Sequence, residues 1–292
     1  MEGQVCMVTG ASSGIGKEIA LGLARLGATI VLVCRDAGRG QAALAEIQRS
    51  SGNNSLDLLL ADLSSQKQIR KLAKDFRQKY RALHVLVNNA GIVTQTRCLS
   101  EDGIEIMFAV NYLAYFLLSN LLLDVLKASA PSRIVNITSS IHKSVRLDFS
   151  NLQGEKRFNK NLIYAQNKLA DVIFTYELAR RLENTGVTVT CACPGATATR
   201  IWEPSSRFMD TLFKTFMKEP AEGARIPLYL ATSPELEGVT CRYYQTRQHL
   251  KRSRVNPANA AARSSRETYD KDIAKRLWQL SEELTGLSNT TI

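Results

Sequence analysis

The chain has 292 residues, 45% of them hydrophobic and 22% charged, and a formal net charge of +11. That balance fits a globular protein with a sizeable core, and no uninterrupted apolar run reaches the ~18 residues of a membrane-spanning helix. Three scattered histidines and six cysteines without CxxC spacing give no metal-ligand pattern, so no metal site is expected. The cysteines (Cys6, Cys34, Cys98, Cys191, Cys193, Cys241) read as buried free thiols in a reducing compartment. Much of the positive charge is late, at Arg242, Arg247, Lys251, Arg252, Arg254, Arg263 and Arg266. It reads as a solvated basic surface or as one that attracts a phosphate-rich ligand or an anionic membrane. No RNA- or DNA-binding motif accompanies it, so nucleic acid is not an expected partner. The first strand begins almost at Met1, so no signal peptide is expected, and the protein is expected to be cytoplasmic or peripheral to a membrane.

In chain order, a first strand over Gln4–Thr9 runs into Thr9-Gly10-Ala11-Ser12-Ser13-Gly14-Ile15-Gly16 and a helix over Ile15–Leu26. Glycines at a strand-to-helix turn let backbone N–H groups approach a phosphate, and the helix N-terminus adds its positive end. Gly10, Ser12, Ser13, Gly14, Ile15 and Gly16 therefore read as a dinucleotide cradle. The second strand, Thr29–Cys34, ends in Arg35-Asp36. Arg35, helped by Lys17, can pair with a 2′-phosphate, which favours NADP(H); Asp36 keeps NAD(H) open. A helix over Arg39–Arg49 leads to a third strand, Leu56–Leu60, closed by Asp62 and Leu63. Asp62 could accept from the adenine amino group or cap the next helix, Gln66–Tyr80. The fourth strand, Val85–Asn88, ends in Asn89-Ala90-Gly91, small residues suited to a backbone pressed against a cofactor.

A long apolar helix over Ile104–Lys127 holds Asn111, a buried amide that needs partners and could hold a water near Lys168. The fifth strand, Arg133–Thr138, ends in Ser139-Ser140, and a polar connection, His142–Leu162, leads to a helix over Tyr164–Asn184. Tyr164 and Lys168 share one face of it, a turn apart. The sixth strand, Thr188–Cys193, ends in Pro194-Gly195 with Thr197 and Thr199 beyond, placed to meet a nicotinamide carboxamide. Phe208, Met209, Leu212, Phe213, Phe216 and Met217 then repeat at helical spacing within Trp202–Pro220. They read as core, as a substrate lid, or as a membrane contact. Val239–Tyr243 could be a seventh strand. Continuous Val/Ile/Leu strands alternating with helices predict one doubly wound α/β domain with a parallel sheet of about seven strands.

These parts together describe a carbonyl/alcohol oxidoreductase. Reduction of a carbonyl needs a hydride and a proton donor; a phenol whose pKa is lowered by a nearby Lys⁺ and an oxidised nicotinamide suits the second task. Tyr164 reads as the acid/base, Lys168 as its tuner and a ribose ligand, and Ser139 as the group that orients the substrate oxygen.

The TGxxxGxG turn (Thr9–Gly16), NNAG (Asn88–Gly91), the helix Asn111, the serine strand, YxxxK (Tyr164/Lys168) and the PG turn cover essentially the whole chain. On these the chain resembles the short-chain dehydrogenase/reductase family. The resemblance implies a catalytic tetrad of Asn111, Ser139, Tyr164 and Lys168, and dimers or tetramers formed through the helices that hold Asn111 and Tyr164. Cys34-Arg35-Asp36, Asn151–Lys156, Glu177–Leu182 and Leu277–Leu284 resemble the retinol dehydrogenase-like branch. That branch implies NADP(H) and lipophilic aldehydes or ketones. Protochlorophyllide reductases are similar too, but their loop insertion before the last strands is not found here. A non-catalytic dinucleotide-binding sensor is the alternative from another class, and it has no need of Ser139, Tyr164 and Lys168 together.

Overall fold

Val/Ile/Leu-rich strands with apolar residues on both faces need cover on both sides, and the chain supplies it by returning through a helix after almost every strand. The computed structural model describes residues 1–195, 219–245 and 260–287. Strands β1 (Val5–Thr9), β2 (Thr29–Cys34), β3 (Leu56–Leu60), β4 (Val85–Asn88), β5 (Ser132–Ile137), β6 (Val187–Cys193), β7 (Arg242–Gln245) and β8 (Ala261–Ala262) form one sheet in the order β3-β2-β1-β4-β5-β6-β7-β8. All pairs are parallel except β7 with β8. The strand order reverses between β1 and β4, and a doubly wound sheet opens its ligand crevice there.

Side chains alternate across β1. Cys6 and Val8 face one layer, with helices α1 (Gly14–Arg25), α2 (Ala37–Ser51) and α8 (Pro220–Thr232). Met7 faces the other, with α3 (Gln66–Lys79), α5 (Ala114–Leu121), α6 (Leu123–Ala128), α7 (Lys160–Arg181) and α9 (Lys271–Thr285). The fold class read from the sequence holds, with β8 added as an antiparallel edge to the expected seven strands.

Several boundaries differ, each for a local reason. The expected single helix over Ile104–Lys127 is four pieces: α4 (Ile106–Phe108), a π-helical turn (Ala109–Leu113), α5 and α6. The π turn holds Asn111, and π turns occur mostly as single wide turns within helices. Helix α7 starts at Lys160, four residues before Tyr164, because Asn159 caps it by accepting from Asn161 N and Leu162 N. The seventh strand runs over Arg242–Gln245 and not Val239–Tyr243. Cys98 is exposed and Cys241 half-buried, against the expectation of burial; the other four cysteines are buried, and all six are unpaired. The expected lid over Trp202–Pro220 lies almost entirely outside the described residues, as do Thr197, Thr199 and the basic residues Arg247, Lys251, Arg252 and Arg254. No helix among the described residues is long and apolar enough to cross a membrane.

Candidate active site

The glycine turn and the NNAG segment are one interlocked unit. Thr9 Oγ1 accepts from Asn89 N (2.9 Å) and Ala90 N (3.1 Å), and Asn89 Nδ2 donates to Thr9 O (2.9 Å). Gly10 and Gly14 sit at φ +66° and +58°, where a side chain is strained. At Gly16 a Cβ would meet the Asn89 amide and would come within 2.5 Å of Gly10 O. Asn89 thus spends its side chain on the turn's own backbone. Ser13 is the N-cap of α1 and makes no side-chain capping bond, and the first turn of α1 carries no acidic residue. Backbone N–H groups and the positive helix end therefore point out of a cradle that only glycine leaves open, and this fits a dinucleotide pyrophosphate.

At the ends of β2 and β3 the polar side chains are engaged with the protein's own backbone and neighbours. Asp36 is the N-cap of α2 and accepts from Arg39 N at 2.7 Å, so its carboxylate is committed to the helix. Arg35, next to it, is exposed. Lys17, counted with Arg35 toward a 2′-phosphate, pairs instead with Glu46 on α2 at 2.6 Å. Asp62 does not cap α3: Ser65 does, while Asp62 accepts from Ser64 N (2.9 Å) and Ser64 Oγ (2.7 Å). Leu63 is buried beneath it.

Asn111 is fully buried, and both ends of its amide are used: Oδ1 accepts from Ile92 N (2.7 Å) and Nδ2 donates to Ile92 O (2.9 Å). It pins the segment after Gly91. The sequence reading offers a water near Lys168 as one way to satisfy this amide; Ile92 takes one of its donors and one of its acceptor sites. Tyr115 Oη donates to Ala90 O (2.9 Å) and pins the same segment from α5.

The end of β5 and the start of α7 bring the remaining groups together. Ser139 caps a short 3-10 turn, Ser140–Ser144, and Thr138 Oγ1 donates to Lys168 O at 2.7 Å, tying the serine strand to α7. Lys168 is buried; its Nζ donates to Ile137 O (2.9 Å) and to Asp171 Oδ2 (2.8 Å) and lies 5.9 Å from the centroid of the Tyr164 ring. Tyr164 packs with Met107 and Ile163, and Ile92, Val93, Ile141 and Phe158 pack against that cluster.

The phenol of Tyr164 is pushed up from its ordinary pKa, first by burial and then by the Cys193 thiol and Asp171. The sequence argument expected Lys168 and an oxidised nicotinamide together to pull it down, and of these only Lys168 belongs to the protein. Desolvation wins because Asp171 answers the charge of Lys168. Sequence reasoning missed the roles of Thr9, Tyr115 and Asp171. A signal was available for Asp171, a lone acid three residues after Lys168 among Leu169, Ala170, Val172 and Ile173. None existed for Tyr115, whose role depends on the loop it touches.

A family model for short chain dehydrogenases matches residues 4–210. Human retinol dehydrogenase 11 is 43% identical over 98% of this chain and 87% of its own length. Human retinol dehydrogenase 14 is 38% identical over 98% of this chain and 88% of its own. Among solved structures, a protein from Mycobacterium Paratuberculosis superposes with a TM-score of 0.77 at 30% identity, covering 98% of this chain and 94% of that one. A short chain dehydrogenase from Shigella flexneri complexed with NADP shares the fold, with a TM-score of 0.68 at 24% identity over 84% of this chain and 97% of that one. With a glycine cradle and a Tyr/Lys pair at the carboxyl ends of its strands, the chain belongs to the short-chain dehydrogenase/reductase family in its retinol dehydrogenase-like branch, an oxidoreductase that interconverts CH–OH and carbonyl groups by hydride transfer with a nicotinamide dinucleotide.

Proposed function

We propose that the protein is an NADP(H)-dependent oxidoreductase of lipophilic aldehydes or ketones and their alcohols, with Tyr164 as acid/base. The observation that carries this reading is the placement of Tyr164 and Lys168. One turn of α7 holds both against the carboxyl end of β5, with Lys168 Nζ on Ile137 O at 2.9 Å. When bound, the dinucleotide supplies or accepts the hydride. Tyr164 Oη gives a proton to the substrate oxygen in reduction and takes it back in alcohol oxidation. Ser139, at the head of its 3-10 turn, orients that oxygen, while Asn111 and Tyr115 hold the Ala90–Ile92 backbone beside the cofactor cleft.

Two observations support the finer calls. Asp36 is engaged as a helix cap while Arg35 stands exposed beside it, so the end of β2 offers a cation and not an uncommitted carboxylate to the ribose. That favours a 2′-phosphate. Lys17 can add to this only by leaving Glu46, a change that costs little for a surface pair. The apolar wall of Met107, Ile141, Phe158, Ile92 and Val93 beside Tyr164 suits a lipophilic substrate, as the names of the retinol dehydrogenase relatives suggest.

Calorimetry tests the cofactor and turnover tests the chemistry. NADPH should bind at least tenfold tighter than NADH, and Arg35→Ala should erase most of that difference; equal binding of the two in the wild type overturns the 2′-phosphate reading. Tyr164→Phe should bind NADPH as the wild type does and lose reduction of a lipophilic aldehyde panel by about a hundredfold or more.

A further inference from the structure

Helix α7 is buried almost all round from Ile163 to Ala179, and the charged groups inside that stretch are Lys168, Asp171 and, at its far end, Glu177. Glu177 is answered by Arg180 and Arg181. Asp171 is fully buried. Its Oδ2 accepts from Lys168 Nζ at 2.8 Å, and its Oδ1 has no hydrogen-bond partner. A buried carboxylate with one oxygen unanswered is costly, but removing it alone would leave the Lys168 ammonium buried without its counter-charge. Other titratable groups among the described residues lie near this pair or near Tyr164 on neighbouring elements. Tyr112 lies in the π turn, Tyr115 on α5 with its ring 5.2 Å from Lys168 Nζ, Cys191 on β6 beside Asp171, Cys193 on β6 beside Tyr164, and His142 on the turn after Ser139. Burial pushes Tyr112, Tyr115 and Cys191 up and His142 down to about 4, so these four stay neutral through the working range. Among the described residues, the charges these contacts place close to Tyr164 are thus Lys168 and Asp171, and they cancel where the carboxyl is ionised.

We propose that Asp171 is a positioning residue for the reaction: it fixes the ammonium of Lys168 against β5 and balances its charge, and so sets the pH at which Tyr164 gives up its proton. The inference rests on Tyr164 being the acid/base. With Asp171 charged, ionising Tyr164 leaves the dry site with one net negative charge. Without it, the phenolate and Lys168 form a neutral pair. Asp171 therefore holds Tyr164 as the phenol, the form that donates to a carbonyl, and delays the phenolate that alcohol oxidation requires. Burial pushes the Asp171 carboxyl itself up to about 7 against the pull of Lys168, so its hold on Tyr164 strengthens as the pH rises through neutrality.

The test is the phenolate absorbance of Tyr164 in the NADP⁺ complex, taken as the difference between each protein and its Tyr164→Phe counterpart. Asp171→Asn should ionise Tyr164 about one pH unit or more below the wild type. The rising limb of NADP⁺-dependent 1-decanol oxidation should move down with it. Asp171→Ser, which removes the charge without adding an amide donor, is the second variant and should move the titration the same way. Coincident titrations, or a shift upward, overturn the proposal, as does loss of cooperative unfolding in both variants, which would make Asp171 a structural residue only. Failure of the underlying reading shows separately, as a Tyr164→Phe protein that still reduces aldehydes.

Discussion

At Gly16 the backbone of α1 passes so close to the first glycine of the turn that a methyl group has nowhere to go: Gly10 O lies 2.5 Å from where it would stand, with the Asn89 amide on the other side. The neighbours are backbone and an amide already bonded to Thr9 O, so neither can give way cheaply. Gly16→Ala must therefore widen the turn and displace Asn89 together. NADPH affinity should fall tenfold or more, about 1.4 kcal/mol, while the far-UV spectrum stays that of the wild type. Calorimetry beside circular dichroism checks this, and unchanged affinity would show that the cradle is not where the phosphates sit. The same close approach explains why Asn89 was legible as a site residue but not in its task. Sequence spacing brings the NNAG segment to the cleft, whereas only the folded register shows that its amide faces the turn and not the cofactor.

Helix α9 is held by its aromatic face. The Trp278 ring meets Phe116 of α5 edge-on at 4.9 Å and stacks on Phe174 of α7 at 6.0 Å, with the Arg181 guanidinium 4.0 Å above it. Ser281 Oγ bonds Tyr112 Oη at 2.7 Å, one turn further on, and Gln66 Nε2 of α3 donates to Leu284 O at 2.8 Å. Trp278→Ala should lower unfolding free energy by roughly 3–5 kcal/mol in denaturant titrations, since a large ring is removed from a core that closes only partly. A loss under about 1 kcal/mol would mean α9 is a loose cover. The same helix covers part of α5 and α7. At this scale the sequence was most readable where the signal is local: strands β1 to β6, helices α1 to α3 and the Tyr/Lys turn stand within a few residues of where periodicity put them. It failed over Ile104–Lys127, because the π turn exists to seat Asn111 against Ile92, a partner that lies 19 residues away in the chain. The cap of α3 shows the same limit: Asp62 was open between the adenine amino group and that cap, and the fold gives the cap to Ser65.

Across the whole molecule, the doubly wound order brings the expected site residues that lie among the described ones to the carboxyl ends of the strands, and a buried base, His142, is sealed beside them. His142 is fully buried, its Nδ1 bonded to Ser139 O at 2.7 Å and its Nε2 without a partner, edge-on to Tyr243 of β7. Charging the ring would place an N–H⁺ at Nε2 where nothing accepts it. Burial above all, and then the Lys143 charge, therefore hold its pKa at about 4 against an ordinary 6.5. The sign follows from proton counting. Between those two values the unfolded chain binds a proton that the folded one refuses, so the stability present above pH 6.5 is lost as the pH falls toward 4, and no more is lost below. The loss amounts to roughly 3 kcal/mol. His142→Asn keeps a donor for Ser139 O and removes the titration. The advantage of wild type over the variant should therefore shrink by that amount between pH 6.5 and 4 in denaturant titrations at matched salt. Matching salt matters because a chain with a net charge of +11 gains further self-repulsion on acidification, and that contribution is common to both proteins and cancels in the difference. A difference that stays flat with pH would mean that the ring finds a partner or solvent once it is charged.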